Sequence, residues 1–212
     1  MATPIVIIGA GGFGREVLDI VEAENSVEHR WEFLGFLDDG APDMDLLARR
    51  GAKFLGPTDA LADIDASYVI GIGSGEARRR VDEAVESFGR EPATLVHPAA
   101  TVGSDVEIGP GCIVNAQVGV TTHIRLGRHV DLHVGSKLGH DTVLEAYVSV
   151  YPGASIGGNV LLESGVTVGT GASVIQGLVV GRDATVGAGA AVVREVDAGA
   201  TVVGVPARPL GA

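Results

Sequence analysis

Two stretches of the 212-residue chain gather groups that could do chemistry. In the first, Gly9-Ala10-Gly11-Gly12-Phe13-Gly14 follows the apolar run Ile5-Val6-Ile7-Ile8. Asp38-Asp39-Gly40 and Gly73-Ser74-Gly75 follow two further apolar runs. Glycines at such places let the backbone approach a phosphate, and nearby carboxylates can hold a ribose. In the second stretch lie His123, His129, His133 and His140, with Asp141 directly after His140. An imidazole beside a carboxylate suits removal of a proton near neutral pH, because the acid supports the imidazolium once the proton has moved.

The elements that must position the first stretch alternate. Strands are expected at 5–8, 33–37, 67–72 and 93–96, with helices at 15–21 and 77–88. Alternating β and α elements imply a parallel sheet with a ligand crevice at the C-terminal ends of its strands. The match to G-x-G-x-x-G is complete. Two other readings stand beside a nucleotide-sugar site: a tight strand-to-helix turn with no ligand, and an NAD site. The NAD reading would put Asp38 or Asp39 on a ribose, although both lie further on than the usual ~20 residues.

The second stretch sits in a repeat. From Val102 to Val192 every sixth residue is aliphatic, sixteen positions without insertion or deletion. Glycine follows directly at 103, 109, 127, 139, 157, 169, 181 and 187. A small or apolar residue stands two positions before most members, as at Val106, Cys112, Val130, Val148, Ala154, Val160 and Ala172. Period six is neither helical nor simple strand alternation; it marks a parallel β-helix with one short strand and one turn per hexad. On this phase Cys112 faces the core. His140 falls two residues after the aliphatic position, His123 and His129 three, and His133 one. Positions two and three are expected at outward corners, and His123, His129 and His133 are read as ordinary turn residues.

Composition narrows the function classes. Thirty-two glycines accompany 46% apolar but only 4% aromatic residues, so the core is built from Val, Ile, Leu and Ala. The net charge is −12 and no basic stripe is visible, which excludes a nucleic-acid backbone as partner. Residues 1–96 hold 18 acids and 9 bases, and residues 97–212 hold 9 and 6. The single cysteine cannot form an internal disulfide. No cysteine, histidine or carboxylate cluster has metal-ligand spacing. The N-terminus lacks the form of a signal peptide, and no stretch reads as a membrane helix. A cytoplasmic protein with no membrane partner is expected.

The repeat from 102 to 193 resembles the hexapeptide repeat of left-handed β-helix acyltransferases, in which three hexads form one triangular coil. Gly204-Val205-Pro206-Ala207 resembles the ending of these enzymes. As a whole the chain is similar to the sialic acid O-acetyltransferase and UDP-4-amino-sugar N-acetyltransferase family. That resemblance implies a Rossmann-like parallel-sheet domain over 1–96 that binds a nucleotide-linked sugar. It implies a left-handed β-helix over 97–212, a homotrimer, and acetyl-CoA as co-substrate without a metal. The family's His-acid motif falls on His140-Asp141, followed by Gly157-Gly158-Asn159-Val160. By that match His140 is the general base, Asp141 its orienting carboxylate, and the Gly158 N–H the oxyanion donor. Acetyl-CoA contacts carry over to Ser149, Gly158, Thr170 and Ala188. Sugar-nucleotide contacts carry over to Gly11, Gly12, Phe13, Asp38, Asp39 and Gly73. N-acetylation of a UDP-4-amino sugar by direct attack, rather than through an acyl-cysteine, is the expected reaction. The alternatives are O-acetylation of a sialic-acid-like sugar and a non-catalytic, nucleotide-sensing scaffold.

Overall fold

Ile5, Val6, Ile7 and Ile8 are at most 1% exposed, as a continuous aliphatic run must be when a parallel sheet is covered on both faces. They belong to β1 (Thr3–Ile8) in a computed structural model that describes residues 2–211. The chain divides into two units, one ending at Pro98 and the other starting at Ala99.

In the first unit α1 (Gly12–Val27), β2 (Trp31–Leu37), α2 (Met44–Arg49) and β3 (Phe54–Gly56) follow β1. Then come β4 (Ser67–Ile70), α3 (Gly75–Val85) and β5 (Leu95–Val96). The sheet is parallel in the order β3-β2-β1-β4. Val17, Leu18 and Val21 of α1 are buried, as their helical spacing requires. Its fourth strand differs from expectation. Phe54–Gly56 takes the edge position, whereas the 93–96 segment does not join this sheet. A single bridge forms there, Pro92 to Tyr68, in which the Tyr68 N–H donates to the Glu91 carbonyl and the Ala93 N–H to the Tyr68 carbonyl. Trp31 is 5% exposed and its indole N–H donates to the buried Glu24 carboxylate, whose other oxygen accepts from the Val96 N–H.

In the second unit each aliphatic ladder residue closes a short strand, and strands pair in parallel with partners 18 residues away. Leu132 pairs with Val114 and Val150, and Leu138 with Val120 and Ile156. Three hexads therefore make one coil with three sheet faces. From Val114 to Val192 every ladder residue is at most 4% exposed. Burial of each such side chain contributes about 1.5–3 kcal/mol, so this ladder is the core. Cys112 is fully buried on the inward phase two residues before it. The recurrent glycines after the ladder answer to close approach between coils: a Cβ at Gly139 would lie 2.5 Å from the Gly158 nitrogen. After Val192 the period breaks. Thr201–Val203 still pairs with Thr185 and Val186, and Arg208–Pro209 returns antiparallel beside it. Among the described residues no helix is long and apolar enough to cross a membrane.

The outward-corner expectation fails for His129, which is fully buried. Its ring stacks within 7° of parallel on Tyr147, at 6.0 Å. The residue one coil before is Gly111, where a Cβ would come 2.3 Å from the His129 ring. His133 is 6% exposed and stacks on Tyr151 at 4.7 Å. Periodicity assigned these residues to a turn. It carried no information about rings 18 residues on that would pack against them.

Candidate active site

Asp105, His123, Asp141 and Asn159 occupy one corner of the coil at 18-residue spacing, all left-handed with φ of 55–57°. These residue types tolerate that conformation better than most. Because the backbone repeats, their side chains leave from equivalent points and form a column. His123 Nδ1 lies 3.3 Å from Asp141 Oδ1, and His123 Nε2 lies 3.1 Å from Asp105 Oδ2. Beside the column, His140 Nδ1 lies 2.6 Å from Asp141 Oδ2. Asp141 thus has one imidazole on each carboxylate oxygen. The hydrogen bond to His140 is the largest influence, and together with the one to His123 it outweighs the cost of desolvation and holds this carboxyl below its ordinary range.

The His140 ring lies over Gly158. A Cβ there would be 2.7 Å from both Cε1 and Nε2 of the imidazole, so only glycine admits the ring in this position. With Nδ1 engaged by Asp141, Nε2 is the nitrogen available to a substrate proton. The Gly158 N–H donates to no backbone carbonyl among the described residues. A hollow of about 340 Å³ adjoins the column, lined by Asp105, Glu107, His123, Arg125, Asp141 and Val143. Among the described residues no group of three His, Cys, Asp or Glu side chains could hold a metal ion.

The four expected acetyl-CoA positions do not all come together. Thr170 and Ala188 are exposed and stack on one corner. Gly158 stands on the next corner, across the face formed by Ser155–Ile156 and Ser173–Val174. Ser149 does not join them. It is fully buried in another face, paired with Asp131 and Thr167, and cannot meet a coenzyme at the surface.

In the first unit the structure separates two kinds of glycine. A Cβ at Gly14 would lie 1.8 Å from the Gly9 carbonyl oxygen, so packing demands glycine there. At Gly11 and Gly12 nothing lies within 4 Å of a Cβ, so packing does not explain them. Both sit at the start of α1, where unpaired N–H groups and the helix dipole favour an anion. Asp38 is tied to this loop, accepting from the Ala10 and Gly40 N–H groups at 2.7 Å each. Asp39 points elsewhere and accepts from the Thr58 N–H at 2.7 Å. Phe13 is half-buried in the first turn of α1. The Gly73 carbonyl accepts from Arg78 Nη1 at 2.9 Å, as does the Ile72 carbonyl at 3.0 Å.

Sequence reasoning missed Arg78 and underrated His123. Arg78 is fully buried and anchors the loop after β4. The signal was its place with Asp82 and Val85 on one helical stripe of α3, inside a run that reads as solvated charge. For His123 the signal was the 18-residue spacing to Asp105 and Asp141. A groove of about 330 Å³ lined by Gly12, Arg15, Arg49 and Arg50, among others, was also not anticipated.

Comparison with known proteins agrees with this fold. A family model described as the PglD N-terminal domain matches residues 4–85. GDP-perosamine N-acetyltransferase of Escherichia coli is 32% identical over 148 residues, 67% of this chain and 64% of that protein. UDP-N-acetylbacillosamine N-acetyltransferase of Bacillus subtilis is 30% identical over 119 residues, 53% of this chain and 51% of that protein. The chain thus spans less than two thirds of the length of these curated relatives. The acetyltransferase domain of PglB from Neisseria gonorrhoeae, solved in complex with acetyl coenzyme A, is 31% identical. It superposes with a TM-score of 0.87 over 99% of this chain and 100% of that one. With a Rossmann-like parallel sheet, an unbroken hexapeptide β-helix and these relatives, the chain belongs to the left-handed β-helix sugar acetyltransferases of the sialic acid O-acetyltransferase and UDP-4-amino-sugar N-acetyltransferase family.

Proposed function

We propose that this protein transfers an acetyl group from acetyl-CoA to the amine of a nucleotide-linked sugar, with a UDP-linked 4-amino sugar as the preferred acceptor. The observation that carries this reading is His140, held at 2.6 Å by Asp141 with its other ring nitrogen beside Gly158. Two relatives are named as N-acetyltransferases of nucleotide-linked sugars, which supports an amine acceptor over a hydroxyl. A third was solved with acetyl coenzyme A, which supports the donor.

In this reading the acceptor nitrogen attacks the thioester carbonyl carbon while His140 Nε2 takes its proton. Asp141 steadies the imidazolium that results. The carbonyl oxygen becomes an anion and is met by the Gly158 N–H. The C–S bond then breaks, and the proton passes from His140 to the departing sulfur. Gly11 and Gly12 at the start of α1 face the diphosphate, with Asp38 and Gly73 at the neighbouring strand ends. Thr170 and Ala188, small and exposed on one corner, flank the pantetheine arm. A single flat face encloses such an arm poorly, so the working form is a homotrimer in which an adjacent β-helix supplies the other wall. The reaction is placed in the cytoplasm.

The test is release of free thiol from acetyl-CoA against a panel of UDP-, GDP- and CMP-linked amino sugars and their hydroxyl counterparts. Turnover of an amino sugar and none of its hydroxyl counterpart is expected. Turnover of hydroxyl acceptors alone would replace N- by O-acetylation. Sedimentation as a monomer at working concentration would contradict the trimer.

A further inference from the structure

We propose that His123 is a positioning residue: it holds the Asp141 carboxylate so that Oδ2 faces His140, while Asp105 anchors the far side of the His123 ring. This rests on the acetyl-transfer reading above, in which His140 is the base.

The two residues of the catalytic pair are neighbours in the chain, and neither is fixed by packing. His140 and Asp141 side chains are 63% and 50% exposed. A half-exposed carboxylate with a single partner turns freely about its last torsion, which is broad and two-fold. Here the second oxygen is engaged as well: Oδ1 faces His123 Nδ1 at 3.3 Å while Oδ2 faces His140. His123 is held in turn through Nε2 by Asp105 at 3.1 Å. The other charged groups around the hollow are Glu107 and Arg125, which lie 3.6 Å apart and largely compensate each other. The polar contacts of the His123 ring are therefore with the two carboxylates of its own column.

The turn itself does not need a histidine. Glycine fills the equivalent left-handed corner position at Gly111, Gly135, Gly153 and Gly171. A coil that accepts glycine there has no structural use for an acid-imidazole-acid column. Asp141 of this column stands beside His140, the imidazole that reaches over Gly158. The hydrogen bond to His140 is the main cause of the lowered Asp141 carboxyl, and the His123 contact acts in the same direction.

Kinetics on the full-length protein test this, with acetyl-CoA and the best acceptor from the panel. His123→Gly keeps the turn and removes the ring. His123→Asn keeps the turn and puts an amide N–H where Nδ1 stood. His140→Ala is the control for the acetyl-transfer reading. We expect His123→Gly to lower kcat roughly tenfold, the scale of one oriented hydrogen bond to a charge, with KM for acetyl-CoA changed by less than about twofold. His123→Asn restores most of the loss. Asp105→Asn lowers kcat by a smaller factor and gives a second measure should His123→Gly fold poorly. Wild-type kcat in His123→Gly or, failing that variant, in Asp105→Asn overturns the positioning role while an inactive His140→Ala leaves the reaction standing. His123→Asn as poor as His123→Gly overturns it too, because the donor would then not be what matters. Full activity in His140→Ala overturns the underlying reading instead.

Discussion

Nδ1 of His140 lies 2.6 Å from Oδ2 of Asp141, the next residue in the chain, on a corner where Asp141 has a left-handed backbone with φ of 57°. That conformation turns the Asp141 side chain back toward its neighbour, where an extended backbone would send the two side chains to opposite faces. The tight turn of the hexapeptide coil therefore makes the imidazole-carboxylate pair out of two adjacent residues.

Asp141→Asn is expected to lower kcat by about tenfold to a hundredfold, because the imidazolium loses its carboxylate while the amide still fits the left-handed turn. The Asp141 carboxyl is held below its ordinary value of 3.8, chiefly by the hydrogen bond to His140, so it stays charged above that pH and loses its charge only as pH falls through the lower folded value. Steady-state rates of the wild type and Asp141→Asn on one preparation check this.

Gly158→Ala puts a Cβ 2.7 Å from the His140 ring, whose side chain is 63% exposed. The ring must swing away from the site. Loss of kcat by about a hundredfold is expected, with a melting temperature close to wild type, because the exposed ring can move without disturbing the core. Rates and thermal melts on one preparation separate the two effects.

Two alanine substitutions in the first unit should behave oppositely. Gly12→Ala meets nothing within 4 Å and leaves stability near wild type, but raises KM for the sugar nucleotide by crowding the start of α1. Gly14→Ala collides with the Gly9 carbonyl at 1.8 Å and destabilises by about 1–3 kcal/mol or more. Denaturant melts and substrate titrations distinguish them. Sugar-nucleotide binding unaffected by Gly12→Ala would remove the loop from the site.

Leu132→Ala removes a fully buried rung between Val114 and Val150. A loss of about 2–5 kcal/mol is expected, centred on the adjoining coils because each coil contacts only its neighbours. Hydrogen exchange would show it as lost protection in strands 18 residues to either side.

The β-helix was legible down to single residues. The period of six marked each short strand and turn, and the three-hexad coil that the family resemblance implies is the one that pairs Leu126 with Leu144. Legibility ended where partners come from distant chain. Asp141 between two histidines could be derived as a stack but not as a pair of hydrogen bonds at 2.6 and 3.3 Å. His129 read as an outward corner residue yet is buried against Tyr147, because hexad phase fixes position along the coil and not packing around it. Ser149 was carried over by alignment, and nothing in a strand of alternating small residues signalled its burial. In the first unit the glycine loop was clear. The edge strand Phe54–Gly56 was missed because three residues are too few to show a period.

The central claim is that His140 takes the acceptor's proton. The most direct measurement is the rate of thiol release from acetyl-CoA by His140→Ala, with the amino-sugar nucleotide that the wild-type protein turns over best. The account predicts a fall of about 10²–10⁴-fold in kcat with the fold and acetyl-CoA binding intact. Turnover at the wild-type rate would contradict it.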